Sequence, residues 1–220
     1  MPGADDRRLT HRPGPAARGT AETREVLIPH DVTSGALTAV RNVIVQSSLA
    51  ELKQHGHYDA YTKLMDPGLL EQLLFSLAPG WIPVDLAFAH YEACERLGLT
   101  DQDFAAMGRS VGGRVQETVL VSARKKAQEP GHDLMQSIGS LGRMFPRLFQ
   151  GGSVQVVKVG PKALLYEERG FKLNCFNYYR HGHVAAVRAA HEALGVKIVE
   201  LRVVSYKAAI DELVVRVEWH

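Results

Sequence analysis

The sequence predicts an α+β fold in which helices pack on one face of an antiparallel sheet. Apolar residues recur at helical period up to about residue 150 and at a period of two after Gly151-Gly152. The strand-like runs beyond that point are separated by short Gly-containing turns rather than by alternating helices. Segregated helices and strands of this kind define the α+β class.

Taken in order, residues 1–24 are rich in Pro, Gly, Ala and Arg and carry little that can pack, so a disordered tail is expected there. Residues 25–220 are expected to form a single domain, helical over 32–150 and sheet-containing over 153–219. Order begins at "EVLIPHDV". The segment "SGALTAVRNVIVQSSLAELKQHG" reads as a helix stopped by Gly56. "YDAYTKLMDPGLLEQLLFSLAPGW" gives two short helices broken at Asp66-Pro67-Gly68 and Pro79-Gly80. In "PVDLAFAHYEACERLGL", Leu86, Ala89, Ala93 and Leu97 share one helical stripe. Thr100 followed by Asp103 marks the start of the next helix, "DQDFAAMGRSVGGRVQETVLVSARKKA". A further helix, "HDLMQSIGSLGRMFPRLF", ends near Pro146. Strands are then expected at "SVQVVKV", "KALLYEE" and "FKLNCFNY", a helix at "HVAAVRAAHEALG", and strands at "KIVELRVVSY" and "DELVVRVEW". The predicted order after the helices is β-β-β-α-β-β.

Composition narrows the function classes. An apolar fraction of 45%, a charged fraction of 23% and a net charge of +2 give no electrostatic case for nucleic acid or a membrane surface. The first residues hold no apolar core of a secretory signal, and no apolar run approaches the roughly 20 residues of a bilayer span. Two distant cysteines, Cys94 and Cys175, make no disulfide framework and suit a reducing cytoplasm.

"CFNYYRHGHVAAVRAAHEALG" (175–195) concentrates chemistry-bearing side chains, yet its spacing does not suit a metal. His183 and His191, eight residues apart on a helix, are separated by about 12 Å along its axis, too far to share one zinc ion. A Cys175/His181 dyad would need a thiol of lowered pKa beside a base; Cys175 is instead expected on the buried face of a strand. Gly108-Arg109-Ser110-Val111-Gly112 matches the nucleophile-elbow pattern G-x-S-x-G, but its flanks are helical, where small residues serve close helix approach. Gly151-Gly152 lacks the Lys-Ser/Thr and helix of a phosphate loop. Trp81, with His90, Tyr91 and Cys94 on the following helix, forms a second cluster suited to lining a mostly apolar cavity.

The element order, with "GWIPVDLAFAHYEACERLGL", "MGRSVGGRV" and "FNYYRHGHVAAVRAAHEALGVKIVELRVV…DELVVRVEW", resembles the haem–nitric-oxide-binding (H-NOX) and 4-vinyl-reductase-domain superfamily, and within it haem-less bacterial members. The resemblance covers residues 25–219. It implies a sensory domain with a small-molecule pocket between helices and sheet, dimeric or coupled to a partner signalling protein. In the haem-binding branch a proximal histidine precedes the first strands. Here Ile138 aligns with it, and the nearest histidine, His132, sits at the helix start. The Tyr-x-Ser-x-Arg propionate clamp has no counterpart, since Tyr178-Tyr179-Arg180 lacks the serine. The zinc-binding branch uses a cysteine cluster that Cys175 alone does not supply. The resemblance therefore implies a non-enzymatic, haem-free and metal-free sensor of a small apolar ligand, with no cofactor, in the cytoplasm. Its candidate lining residues are Trp81, His90, Tyr91, Cys94, Tyr178, Tyr179 and His183. The alternatives are an interaction scaffold without ligand, and a hydrolase or transferase using Cys175/His181 or Ser110.

Overall fold

The switch of period at Gly151-Gly152 is a backbone requirement. Both residues have positive φ, 78° and 68°. A Cβ on Gly151 would sit 2.2 Å from the Ala36 carbonyl oxygen, and one on Gly152 2.5 Å from the Phe171 ring, so only glycine fits. The computed structural model describes residues 24–77, 79–119, 121, 125, 135, 137 and 140–220. The expected tail, apart from Arg24, and the alignment positions His132 and Ile138 lie outside the described residues.

The elements are β1 (Glu25–Ile28), β2 (Ala39–Arg41), α1 (Asn42–Gln54), α2 (Tyr58–Leu64), α3 (Pro67–Phe75), β3 (Trp81–Pro83), α4 (Val84–Glu95) and α5 (Asp101–Val119). A 3-10 turn at Ser140–Met144 leads into α6 (Phe145–Leu148) and β4 (Phe149–Gln150). Then come β5 (Ser153–Gly160), β6 (Ala163–Arg169), a 3-10 turn at Lys172–Cys175, α7 (Asn177–Ala193), β7 (Ile198–Lys207) and β8 (Glu212–Trp219). The five-stranded sheet runs β1-β5-β6-β8-β7 with antiparallel pairs throughout. A small second sheet runs β3-β2-β4.

The α+β class holds, and two details of the expected order change. "FKLNCFNY" is not a strand. Phe171, Leu173 and Asn174 are all buried, which breaks the two-residue alternation, and Asn174 N–H closes a turn on the Phe171 carbonyl at 3.0 Å. The order after Gly152 is therefore β-β-α-β-β. Nor is the N-terminal part all helix, because β1, β2 and β3 are strands of three or four residues, too short to show a period. β1 pairs with β5 and so belongs to the C-terminal sheet. The Thr100/Asp103 start of α5 forms as expected: Thr100 N–H donates to Asp103 Oδ2 at 3.0 Å and Asp103 N–H donates back to Thr100 Oγ1 at 3.3 Å.

One face of the sheet presents Val154, Val156, Leu164, Tyr166, Leu213, Val215 and Val217 to the helices, and these join the main core. The opposite face carries a smaller cluster of Val157, Val159, Ala163 and Leu165. Helix α7 lies over the inner face, with His191 reaching Tyr166 of β6. Helix α5 packs on α7 through small residues. A Cβ at Gly108 would fall 2.4 Å from Gly182 Cα, and one at Gly112 2.7 Å from Ala186 Cα. The G-x-S-x-G match is thus a helix-contact surface, with Ser110 exposed on the helix.

Candidate functional site

Between α5, α7, the 140–149 segment and the inner sheet face lies a cavity of about 140 Å³. Its walls are almost wholly apolar: Ile44 from α1, Phe104 and Val111 from α5, Leu141, Met144, Phe145, Leu148 and Phe149, and Val187 and Ala190 from α7. Gly108, Gly112, Gly182 and Ala186 close one side, where the two helix backbones meet. Polar groups enter at few points: Ser48, Tyr91, Tyr166, Tyr178, Tyr179, His183 and His191.

Of the seven residues expected at such a site, Tyr91, Tyr178, Tyr179 and His183 line this cavity. The four converge because α4 and the first turns of α7 cross. The Tyr91 ring meets Tyr179 edge-on at 5.1 Å and Tyr178 at 5.9 Å. His90 and Cys94 are fully buried one layer behind the wall. Trp81 is elsewhere: it stands in β3 of the small sheet, with the Arg41 guanidinium 4.1 Å over its ring, a cation–π contact that needs no ligand.

His90 connects the wall to the helical core. Tyr61 OH lies 3.0 Å from His90 Nδ1, His90 Nε2 lies 3.0 Å from Ser48 Oγ, and Ser48 Oγ lies 2.6 Å from Tyr178 OH. Each member has its partner, as a buried polar chain requires. Burial lowers the His90 imidazole to about 3, so it stays neutral at ordinary pH. Desolvation also pushes the Cys94 thiol and the Tyr91 and Tyr178 phenols upward. None of these is a group prepared to ionise.

The second polar set was not visible in the sequence. Glu168 of β6 is fully buried, with its Oε1 2.5 Å from His183 Nε2 and its Oε2 accepting from Asn174 Nδ2 at 3.3 Å. The Glu168–His183 approach is close but lies off the hydrogen-bond direction, since both atoms lack a hydrogen-bond partner by geometry. Tyr179 stacks on His183, with ring centres 5.7 Å apart and planes at 9°. The Tyr179 hydroxyl is buried and has no hydrogen-bond partner. Burial, reinforced by the Glu168 carboxylate, raises its phenol well above the ordinary range, so it remains a donor. His191 is fully buried; its Nδ1 is 2.8 Å from the Val187 carbonyl and its Nε2 3.2 Å from Tyr166 OH. Burial lowers it to about 4. A carboxylate at the end of β6 and an asparagine in "KLNC" carry no positional signal without knowledge of the turn that brings them together.

The nucleophile candidates do not converge. Cys175, expected on a buried strand face, is exposed in the 3-10 turn, and partial burial raises its thiol rather than lowering it. His181 pairs with Asp101 at 3.2 Å. Among the described residues no three His, Cys, Asp or Glu side chains are grouped to hold a metal ion. Nor is any helix among them long and apolar enough to cross a membrane.

No protein-family model and no curated protein sequence matches this chain. Solved structures do. An unliganded Fe(II) H-NOX protein mutant from K. algicida superposes with a TM-score of 0.60 at 9% identity, over 82% of this chain and 96% of that one. A Cs H-NOX mutant carrying 4-cyano-L-phenylalanine gives 0.55 at 13% identity, over 81% and 96%. An oxygen-binding H-NOX domain related to soluble guanylate cyclases, in its oxygen complex, gives 0.51 at 13% identity, over 81% and 94%. At such identities the likeness is one of architecture, and the fold of this chain is H-NOX-like.

Proposed function

We propose that residues 25–220 form a haem-free, non-enzymatic sensor or regulatory domain that holds a small, neutral, largely apolar ligand in the α5–α7 cavity. The ligand's occupancy is passed on through a second copy or a partner protein in the cytoplasm. The observation that carries this reading is an apolar cavity lined by Tyr179 and His183, whose buried hydroxyl and Nε2 have no hydrogen-bond partner, the phenol being the one held as a donor. A buried donor left unmade costs about 1–3 kcal/mol, and a ligand with a single acceptor relieves that cost. The volume of about 140 Å³ is that of a cavity which accepts benzene. It is well below the roughly 300–1,000 Å³ of drug-sized sites.

The donor set of the cavity supports the haem-free part of the reading. Among the described lining residues the nitrogen and phenol donors open to a haem iron are His183, His191, Tyr91, Tyr166, Tyr178 and Tyr179. Both His191 nitrogens are held within the protein, His183 Nε2 faces Glu168, and burial biases Tyr91, Tyr166, Tyr178 and Tyr179 against the phenolate. Among the described lining residues there is no lysine or arginine to meet haem propionates. Among the described residues this set offers no free nitrogen or phenolate donor for haem.

The test is titration with benzaldehyde, which carries one acceptor, and benzene, which carries none, followed by NMR or calorimetry, with native mass spectrometry of freshly purified protein for a retained molecule. Both probes should bind saturably, and Tyr179→Phe should weaken benzaldehyde about 3- to 10-fold, one net hydrogen bond, while leaving benzene unchanged. No saturable binding of either probe, with nothing retained, would sink the reading. A strong Soret band after haem addition would sink its haem-free part. Ser110→Ala and Cys175→Ala, both on exposed positions, should leave probe affinity unchanged and stability within about 0.5 kcal/mol. Loss of a measurable hydrolase or transferase activity in either variant would instead establish the enzyme reading.

A further inference from the structure

Strand β7 is an edge of the five-stranded sheet, and it is long for an edge, ten residues from Ile198 to Lys207. Its exposed side chains are unusually apolar: Val199 is 52% exposed, Val203 38% and Val204 46%. Edge strands left in this state are templates for further pairing unless charge or bulges blunt them. Bulges interrupt the β7–β8 register between Ile198 and Glu200 and between Val203 and Ser205. The stretch between them, Glu200-Leu201-Arg202-Val203, is regular.

That stretch is self-complementary in one register. When two copies of β7 run antiparallel about a two-fold axis through Leu201, Glu200 stands opposite the partner's Arg202 and Arg202 opposite the partner's Glu200. Leu201 then meets the partner's Leu201. Moving the axis to Arg202 sets arginine against arginine; moving it to Glu200 sets glutamate against glutamate. Like charges directly opposite across strands are unfavourable. On the β8 side Glu200 already faces Glu218 and Arg202 faces Arg216, so the free edge is the side on which these two residues can meet an opposite charge across strands. The side-chain period of two also puts Leu201 and Val203 of both copies on one face and Glu200 and Arg202 on the other, while Val199 sits at the bulge and lies outside this alternation. Leu201 and Val203 pair with Val217 and Val215 of β8, which are buried on the helix-packed face. The apolar strip therefore continues the existing core. Within one copy Glu200 and Arg202 pair with each other at 2.6 Å, so the charges needed across the axis are already aligned.

We infer that two copies of this chain associate by antiparallel pairing of their β7 edges, centred on Leu201, to make one continuous sheet. This deepens the sensor reading by naming the surface that carries its output. It rests on that reading for its purpose only, since the test below uses the unliganded chain and can succeed or fail whatever the cavity binds.

The experiment is sedimentation of the full chain and of three variants, Glu200→Arg, Arg202→Glu and the double reversal. Each single reversal places like charges opposite at both symmetry-related positions and should weaken the dimer on the order of tenfold or more. The double reversal restores opposite pairs and should return the dimer to wild-type strength. Unchanged melting of the variants as monomers separates loss of pairing from loss of fold. The proposal is overturned if the wild-type chain remains monomeric at roughly 100 µM, if both single reversals leave the dimer intact, or if the double reversal fails to restore it.

Discussion

Gly108→Ala is expected to destabilise the protein by about 3 kcal/mol even though it adds only one methyl group to a helix. Alanine is the better helix former by about 1 kcal/mol, so a purely local view gives the opposite sign. The new Cβ would lie 2.4 Å from Gly182 Cα and 2.6 Å from its carbonyl oxygen. Both are backbone atoms that cannot rotate away, and carbon atoms rest at about 3.5–4.0 Å, so α5 and α7 must part by roughly 1 Å. Overpacking of this kind costs about 1–3 kcal/mol, and more when backbone moves. Gly112→Ala, at 2.7 Å from Ala186 Cα, should behave alike. The contrast lies in two neighbouring glycines. A Cβ on Gly182 would meet Gly108 Cα at 3.9 Å, and one on Gly113 meets nothing within 4 Å. Gly182→Ala and Gly113→Ala should therefore be neutral or stabilising by up to about 1 kcal/mol. For a domain of this size a loss of 3 kcal/mol lowers Tm by roughly 6–12 °C. Calorimetry on the four variants checks the pattern, and equal effects at Gly108 and Gly182 would refute the close helix approach. Because both glycines also line the cavity, Gly108→Ala should weaken probe binding as well.

The same glycines show what was legible in the sequence. A G-x-S-x-G match inside a helical period can be read as a contact surface without knowing its partner. The Thr100/Asp103 start, the Gly56 and Gly195 stops and the change of period at Gly151-Gly152 are equally local, and each appears where the chain needs it. Tyr91, Tyr178, Tyr179 and His183 could be grouped because aromatic and imidazole side chains are sparse and two helices carry them all. Non-local pairings stayed hidden. β2 and β3 are three residues long and exist only through pairing, β3 with β2 and β2 with both β3 and β4. "FKLNCFNY" alternates well enough to suggest a strand, but Asn174 turns inward to the buried Glu168, a partner six residues earlier on β6. Trp81 was grouped with the cavity on rarity alone, and its contact proved to be Arg41. Rarity finds residues that need an environment; it does not say which one.

Two of the environments so found set the expected response to acid. His90 and His191 are buried and neutral, with the imidazoles lowered by desolvation to about 3 and about 4. In the unfolded chain both titrate near 6.5. Below that pH the unfolded state binds two protons that the folded state refuses, so stability rises with pH across this window and falls on acidification. Their contribution is intact above about pH 6.5 and is lost as the pH drops toward about 4, at up to about 2.7 kcal/mol per pH unit when both are engaged. The groups facing His90 are Tyr61, Ser48, Tyr91, Tyr178 and Cys94, and those facing His191 are Tyr166 and the Val187 carbonyl. No carboxylate is among them to stabilise an imidazolium. The carboxyls held below their usual range, Asp31, Asp103 and Glu212, act at lower pH and leave the interval from 6.5 to 5 to His90 and His191. Half-buried His30, lowered by desolvation and the Arg169 charge, adds in the same sense. Urea unfolding at pH 7, 6 and 5 should therefore show a steepening loss. The variant His90→Gln/His191→Gln should start less stable at pH 7 and lose markedly less on acidification over the same range. If its pH slope matches the wild type, the two imidazoles are not what acid attacks.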